Sequence, residues 1–237
     1  PVLSHGAISG VVQAQAASAT VSRLAAEPDA MEPRHEHVVF DSQQTHIMLG
    51  QLGISRHDPD YAALYVGNQI LGGSGFGSRL MEQIRETRGL SYSVSSSLIP
   101  MEAPGPFQIG MQTRNDQVEL ALEVIDATLS EFVAEGPTQA ELVRSKRQIM
   151  GQFPLSTASN DAIVSQLGAI GFYGLPLNHM QLFLDQVEKL TVEDIRAAFQ
   201  RHVHPDRQLI VTVGPEPVLE EVEAVDEVEP TDNLIEP

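Results

Sequence analysis

Between Leu71 and Leu98 the chain has to be a loop, then a helix, then a strand, and this order constrains what surrounds it. Gly72, Gly73, Gly75 and Gly77 permit backbone angles that side chains disfavour, and Ser78 stands where a helix N-cap belongs. The next residues carry a helical pattern. Leu80 and Ile84 lie four apart on one face, Gly89 is placed to end the helix in the left-handed region, and Arg85 and Arg88 occupy the last turn, near the negative end of the dipole. From Leu90 to Val94 the pattern switches to alternation, which predicts Leu90, Tyr92 and Val94 on one strand face and Ser91, Ser93 and Ser95 on the other. Arg85 and Tyr92 therefore flank a single helix-to-strand junction, close enough to act on one ligand. Spacing alone favours plainer roles: a dipole-capping surface cation for Arg85, and for Tyr92 a core aromatic beside Leu90 and Val94.

The flanking sequence supplies more of both element types. Residues 1–35, rich in alanine, serine, glycine and proline, read as a linker or N-terminal arm. A strand pattern starts near His37 with Val38, Val39 and Phe40, and resumes from His46 to Leu52. Asp58-Pro59 is a helix start leading through Tyr61, Leu64 and Tyr65 into the glycine loop. Beyond the strand at 90–99, alternation of Phe107, Ile109 and Met111 predicts the second arm of an antiparallel hairpin. Asn115 is the expected cap of a long helix whose buried stripe is Val118, Leu122, Ile125, Leu129 and Phe132. Thr138-x-x-Glu141 and Thr191-x-x-Asp194 open two further helices, with helical stretches at Asn160 to Phe172 and His179 to Leu190 between them. Leu209, Val211 and Val213 alternate in a last strand, and residues 216–237 read as an acidic disordered tail. The class this implies is α+β: residues 36–215 as one domain, an antiparallel or mixed sheet with helices packed on one face.

Charge and composition exclude several functions. The net charge of −18 over 237 residues argues against nucleic acid and against anionic membrane surfaces; nine acids and no base fall in the last 22 residues, which accounts for half of it. With no cysteine there is neither a disulfide framework nor a thiolate metal site. No apolar run approaches the roughly 20 residues that cross a bilayer, so the chain as given is expected to be soluble. It begins with Pro1, as expected of a processed form or a piece of something longer. His35, His37, His46 and His57 are scattered over a linker, strands and a loop rather than held at ligand spacing, and read as solvated or hydrogen-bonding groups. No His-Glu-x-x-His, His-x-x-Glu-His, Gly-x-Ser-x-Gly or Gly-x-x-x-x-Gly-Lys-Ser/Thr occurs. The glycine loop lacks dinucleotide-fingerprint spacing, follows a helical rather than a strand pattern, and has no lysine after it, which disfavours a nucleotide-binding module.

The run from Gly75 to Val94, the helix before it, Gly105-Pro-Phe107 and the Gly136-Pro-Thr-x-x-Glu141-Leu helix start together resemble the C-terminal domain of the pitrilysin or insulinase family of zinc metallopeptidases. Mitochondrial processing peptidase and bacterial two-subunit peptidases belong to that group, and the resemblance spans roughly residues 37–215. It implies one half of a clam shell of two similar α+β halves closing around an extended peptide. In that family one half carries the inverted zinc motif; the other supplies an arginine and a tyrosine seven residues apart that hold the substrate and support the transition state. Arg85 and Tyr92 have that spacing, and the zinc motif is missing, so the chain resembles the non-zinc half. The resemblance therefore implies no cofactor in this chain, zinc in the partner half, and a heterodimer with a separate zinc-bearing subunit or pairing with a missing N-terminal region. The chain alone is expected to be inactive, with peptide as substrate and a periplasmic or otherwise exported location ahead of a cytoplasmic one. A structural or assembly subunit of the same fold is the alternative.

Overall fold

The strongest alternation in the chain builds the centre of the sheet. In the computed structural model, which describes residues 33–153 and 158–216, strand β2 (Gln44–Leu52) buries Thr45, Ile47, Leu49 and Gln51 and exposes Gln44, His46, Met48 and Leu52. Strand β4 (Pro106–Arg114) runs antiparallel to it with the same phase, burying Phe107, Ile109, Met111 and Thr113. A period of two in both strands gives the sheet one buried face and one more exposed face. Strands β1 (Arg34–Val39), β3 (Val94–Leu98) and β5 (Leu209–Gly214) complete a five-stranded sheet in the order β1-β5-β2-β4-β3. All pairings are antiparallel except β1 with β5, so the sheet is mixed.

Seven α-helices are present among the described residues: α1 (Tyr61–Asn68), α2 (Arg79–Met81), α3 (Val118–Glu135), α4 (Gln139–Gln152), α5 (Asn160–Phe172), α6 (His179–Lys189) and α7 (Val192–His202). Thr138 and Thr191 each form a complete capping box, with Glu141 and Asp194 respectively, as their sequences predict. Ile47, Leu49, Phe107 and Ile109 of the sheet join Ile125, Leu129 and Phe132 of α3 and Ile195 and Phe199 of α7 in one core cluster. The Phe132 and Phe199 rings meet edge to face at 4.8 Å. Each such side chain contributes roughly 1.5–3 kcal/mol when fully buried, and the core therefore holds the sheet against the helices.

Several element starts differ from the sequence reading. β1 begins at Arg34, ahead of the strand start expected near His37. The expected arm at 1–35 and tail at 216–237 lie outside the described residues, apart from residues 33–35 and 216. α1 starts at Tyr61 rather than at Pro59, because the Asp58 carboxylate accepts the Asp60 backbone N–H at 2.8 Å and closes a turn before the helix. Asn115 does not cap α3. Its amide instead joins two strand ends, accepting from the Thr45 hydroxyl at 3.0 Å and donating to the Ser42 carbonyl at 3.1 Å, and a short turn at Asn115–Gln117 precedes the helix at Val118. The buried stripe of α3 is accordingly rotated: Ala121, Val124 and Thr128 join Ile125, Leu129 and Phe132, while Val118 and Leu122 are partly buried.

Candidate functional site

α1 runs on through a wider turn, Gln69–Gly73, that lays the chain against β3. Asn68 and Ser96 fasten this contact in the interior: the Ser96 hydroxyl donates to the Asn68 side-chain oxygen at 2.7 Å. Gly72 is required here because a Cβ would lie 2.6 Å from the Ser96 hydroxyl oxygen and 2.7 Å from its backbone nitrogen. The next glycines serve differently. Gly75 and Gly77 hold φ of +67° and +86° with open space around them, so they turn the backbone rather than clear a contact. Phe76, between them, is thrown outward and 71% exposed.

Ser78 takes the N-cap position of α2, but its hydroxyl donates to the Gly75 carbonyl at 2.7 Å and closes the loop instead of capping the helix. α2 continues through wider turns at Glu82–Glu86 and ends at Gly89, φ +63°. Leu80 and Ile84 are fully buried, as their spacing predicts. Arg79 anchors this element from a distance. Its guanidinium makes a two-pronged contact with the Glu141 carboxylate at 2.8 and 2.9 Å, donates to the Gly136 carbonyl at 3.1 Å and lies 5.0 Å from the Phe132 ring centre. Burial alone would raise the Glu141 pKa, but the Arg79 fork and the bonds from Thr138 hold it down to about 2.

The segment after Gly89 is not the strand that its alternation predicts. Leu90 is buried and its carbonyl accepts from the Thr113 hydroxyl at 2.6 Å, but Ser91 then forms a local turn. Its hydroxyl donates to the Ser93 carbonyl at 2.8 Å and accepts from the Ser93 N–H at 3.2 Å, so β3 starts only at Val94. Tyr92 rides on that turn and points away from the core, 81% exposed, rather than sharing the inward face of Leu90 and Val94. The core-aromatic role for Tyr92 is thereby overturned.

This turn brings Tyr92 to Arg85. The Arg85 guanidinium carbon lies 4.5 Å from the Tyr92 ring centre and 4.6 Å from that of Phe76. Arg85 forms no ion pair or side-chain hydrogen bond among the described residues, and its Nη1 is buried without a hydrogen-bond partner. Arg88, by contrast, is occupied locally by the Gln83 carbonyl and side chain. The arrangement is a guanidinium with free donors and a phenol beside it, on a surface rather than in a closed cavity. It can bind a carbonyl oxygen, a carboxylate or a developing oxyanion. Sequence reasoning singled out Arg85 and Tyr92, which the structure brings together, but not Phe76, which joins them, nor Asn68 and Ser96, which fasten the neighbouring loop. Only the paired glycines around Phe76 hinted at a displayed side chain.

The four histidines do not assemble. His35 and His37 both contact the Thr212 hydroxyl, at 3.2 and 2.9 Å; His37 also contacts the Pro215 carbonyl at 3.1 Å. His46 lies on the exposed face of β2, and His57 stands 3.7 Å from Glu102. Among the described residues one trio with ligand-type side chains converges, Asp58, Asp60 and His202. Asp60 there is already gripped by both prongs of Arg201 at 2.8 Å and by His202 at 2.9 Å. The Arg201 hydrogen bonds lead in lowering the Asp60 pKa, and the trio reads as an ion-pair lock between α1 and α7. A cleft of about 370 Å³ beside it, lined by Ala63, Lys189, Asp194 and Arg201, contains neither Arg85 nor Tyr92.

Solved structures share this architecture. A peptidase M16 inactive domain from Pseudomonas fluorescens superposes with a TM-score of 0.76 at 49% identity, over 80% of this chain and 45% of that one. A protease from Helicobacter pylori does so with a TM-score of 0.74 at 20% identity, over the same shares of each chain. The fold is thus that of an M16-type peptidase domain. Residues 15–149 match the family described as the Peptidase M16 inactive domain, and the chain belongs to that family. Among curated relatives, the non-peptidase homolog YmxG of Helicobacter pylori is 33% identical over 73% of this chain and 40% of its own length. An uncharacterized zinc protease of Streptomyces coelicolor is 28% identical over 87% of this chain and 45% of its own. The chain therefore spans less than half the length of these relatives. No helix among the described residues is long and apolar enough to cross a membrane.

Proposed function

We propose that this chain is the substrate-binding, non-zinc half of an M16 metallopeptidase, acting in proteolysis beside a zinc-bearing half. The observation that carries the reading is the unpaired Arg85 guanidinium held beside the exposed Tyr92. In a sequence with 32 acids and 14 bases, a cation with a buried donor and no carboxylate partner is poised for an incoming acceptor. The acceptor is a peptide carbonyl, which becomes an oxyanion when attacked; Arg85 donates to it through two nitrogens and Tyr92 through its hydroxyl. The metal in the partner half supplies the activated water, and this chain contributes binding, orientation and charge stabilisation. The relatives' length, more than twice the matched segment, accommodates a second half of similar size. The zinc-bearing half is either a separate subunit or an adjoining region of a longer chain. An exported site of action fits a periplasmic protease of Escherichia coli among the structural neighbours, with a TM-score of 0.64.

A second reading, a structural or assembly subunit that has lost proteolysis, is favoured by the name of the Helicobacter pylori relative, a non-peptidase homolog. One experiment separates the two. With the zinc-bearing half reconstituted, Arg85→Gln and Tyr92→Phe should each lower turnover of a fluorogenic extended peptide by about a hundredfold, the usual effect of losing one oxyanion donor. Turnover equal to wild type in both variants removes these residues from the site and leaves the structural reading.

A further inference from the structure

Phe76 is the one large side chain between two left-handed glycines, and its ring is spent neither on the core nor on another aromatic contact. An exposed arginine samples many rotamers, and each aligned donor must first be frozen before it can act. Here the Arg85 guanidinium lies within cation–π range of two rings at nearly equal distances, 4.6 Å for Phe76 and 4.5 Å for Tyr92. Tyr92 reaches Arg85 from the Ser91 turn and Phe76 from the glycine loop, so two separate segments converge on one side chain. The loop itself is held in place by Gly72 against Ser96 and by the Ser78 hydroxyl on the Gly75 carbonyl.

We infer that Phe76 is a positioning residue: it holds the Arg85 guanidinium against Tyr92 and so fixes the direction in which that group meets the peptide. This deepens the proposed function and rests on it. Because the ring acts through its π face, tyrosine can replace it and leucine cannot. With the two rings at similar distances from the guanidinium carbon, Phe76 contributes to the ring-current displacement of the Arg85 side-chain protons alongside Tyr92.

The test uses the full chain, first alone and then with the zinc-bearing half. In side-chain NMR, Phe76→Leu should move the Arg85 Hε resonance toward its random-coil position, and Phe76→Tyr should leave it in place. In the reconstituted peptidase, kcat/KM for the fluorogenic peptide should fall about two- to fivefold in Phe76→Leu, be restored in Phe76→Tyr, and fall no further when Phe76→Leu is added to Arg85→Gln. An unmoved Arg85 resonance in folded Phe76→Leu, or an additive loss in the Arg85→Gln background, overturns the inference. If Arg85→Gln is impaired while Phe76→Leu matches wild type in both measurements, the inference about Phe76 fails and the functional reading stands. If Arg85→Gln itself turns over peptide normally, the functional reading fails and Phe76 loses its role with it.

Discussion

Replacing Glu141 with glutamine tests how the arginine-bearing element is fixed to the rest of the domain. The wild-type carboxylate receives two prongs from Arg79 as well as the Thr138 N–H and hydroxyl, at 2.7 and 2.8 Å, and both members of the ion pair are 16% exposed. Its pKa falls from the ordinary 4.5 to about 2. At ~1.4 kcal/mol for each tenfold change in proton affinity this amounts to roughly 3 kcal/mol, and residual solvent screening reduces it to about 2 kcal/mol. A depressed carboxylate pKa stabilises the fold above the unfolded value and ceases to do so as pH falls through the folded value. The stability gap between wild type and Glu141→Gln, from urea unfolding followed by circular dichroism, should therefore be full at pH 7 and narrow steadily from pH 4.5 toward pH 2. In an Arg79→Met background the pH-dependent part of the gap should shrink, the Thr138 bonds accounting for what remains. Two unfolding curves that stay equally far apart from pH 7 to pH 3 would show that Glu141 is not held ionised by Arg79. Because Arg79 and Arg85 lie on the same short element, the weakened anchor should also broaden the Arg85 NMR resonance.

Other variants probe neighbouring supports. Ser96→Ala leaves the buried Asn68 oxygen without its donor and should cost about 1–3 kcal/mol in urea unfolding, whereas Ser96→Ala combined with Asn68→Leu should cost less than the single change. Gly72→Ala forces a methyl to within 2.7 Å of the Ser96 backbone nitrogen and should lower the thermal midpoint by more than Gly110→Ala, where the added carbon meets nothing within 4 Å. Thr191→Ala removes the hydroxyl that accepts the Asp194 N–H and should destabilise the domain by about 1 kcal/mol, measured in the same unfolding assay.

Much of the local structure was legible because it is written within a few residues. The Thr138 and Thr191 capping boxes, the hairpin of β3 and β4, the end of α2 at Gly89 and the seven-residue interval from Arg85 to Tyr92 all depend on near neighbours. Asn115 shows the limit. A good cap by sequence, it is drawn instead to the hydroxyl of Thr45, 70 residues away. Tyr92 shows another: alternation placed it inward with Leu90 and Val94, but one serine hydroxyl bonding its own backbone was enough to turn it out.

The amino-acid order by itself determined the α+β class, the sequence of helices and strands, and the placing of Arg85 and Tyr92 on either side of one helix-to-strand junction, since periodicity, capping and glycine placement act over single turns. Only the folded chain decided the strand order β1-β5-β2-β4-β3 with its one parallel pair, the clasp of Arg79 on Glu141 across 62 residues, and the convergence of Phe76 on Arg85. These depend on where distant segments come to rest in space, and an arginine carries no mark of whether a carboxylate or an aromatic ring will be waiting when the core closes.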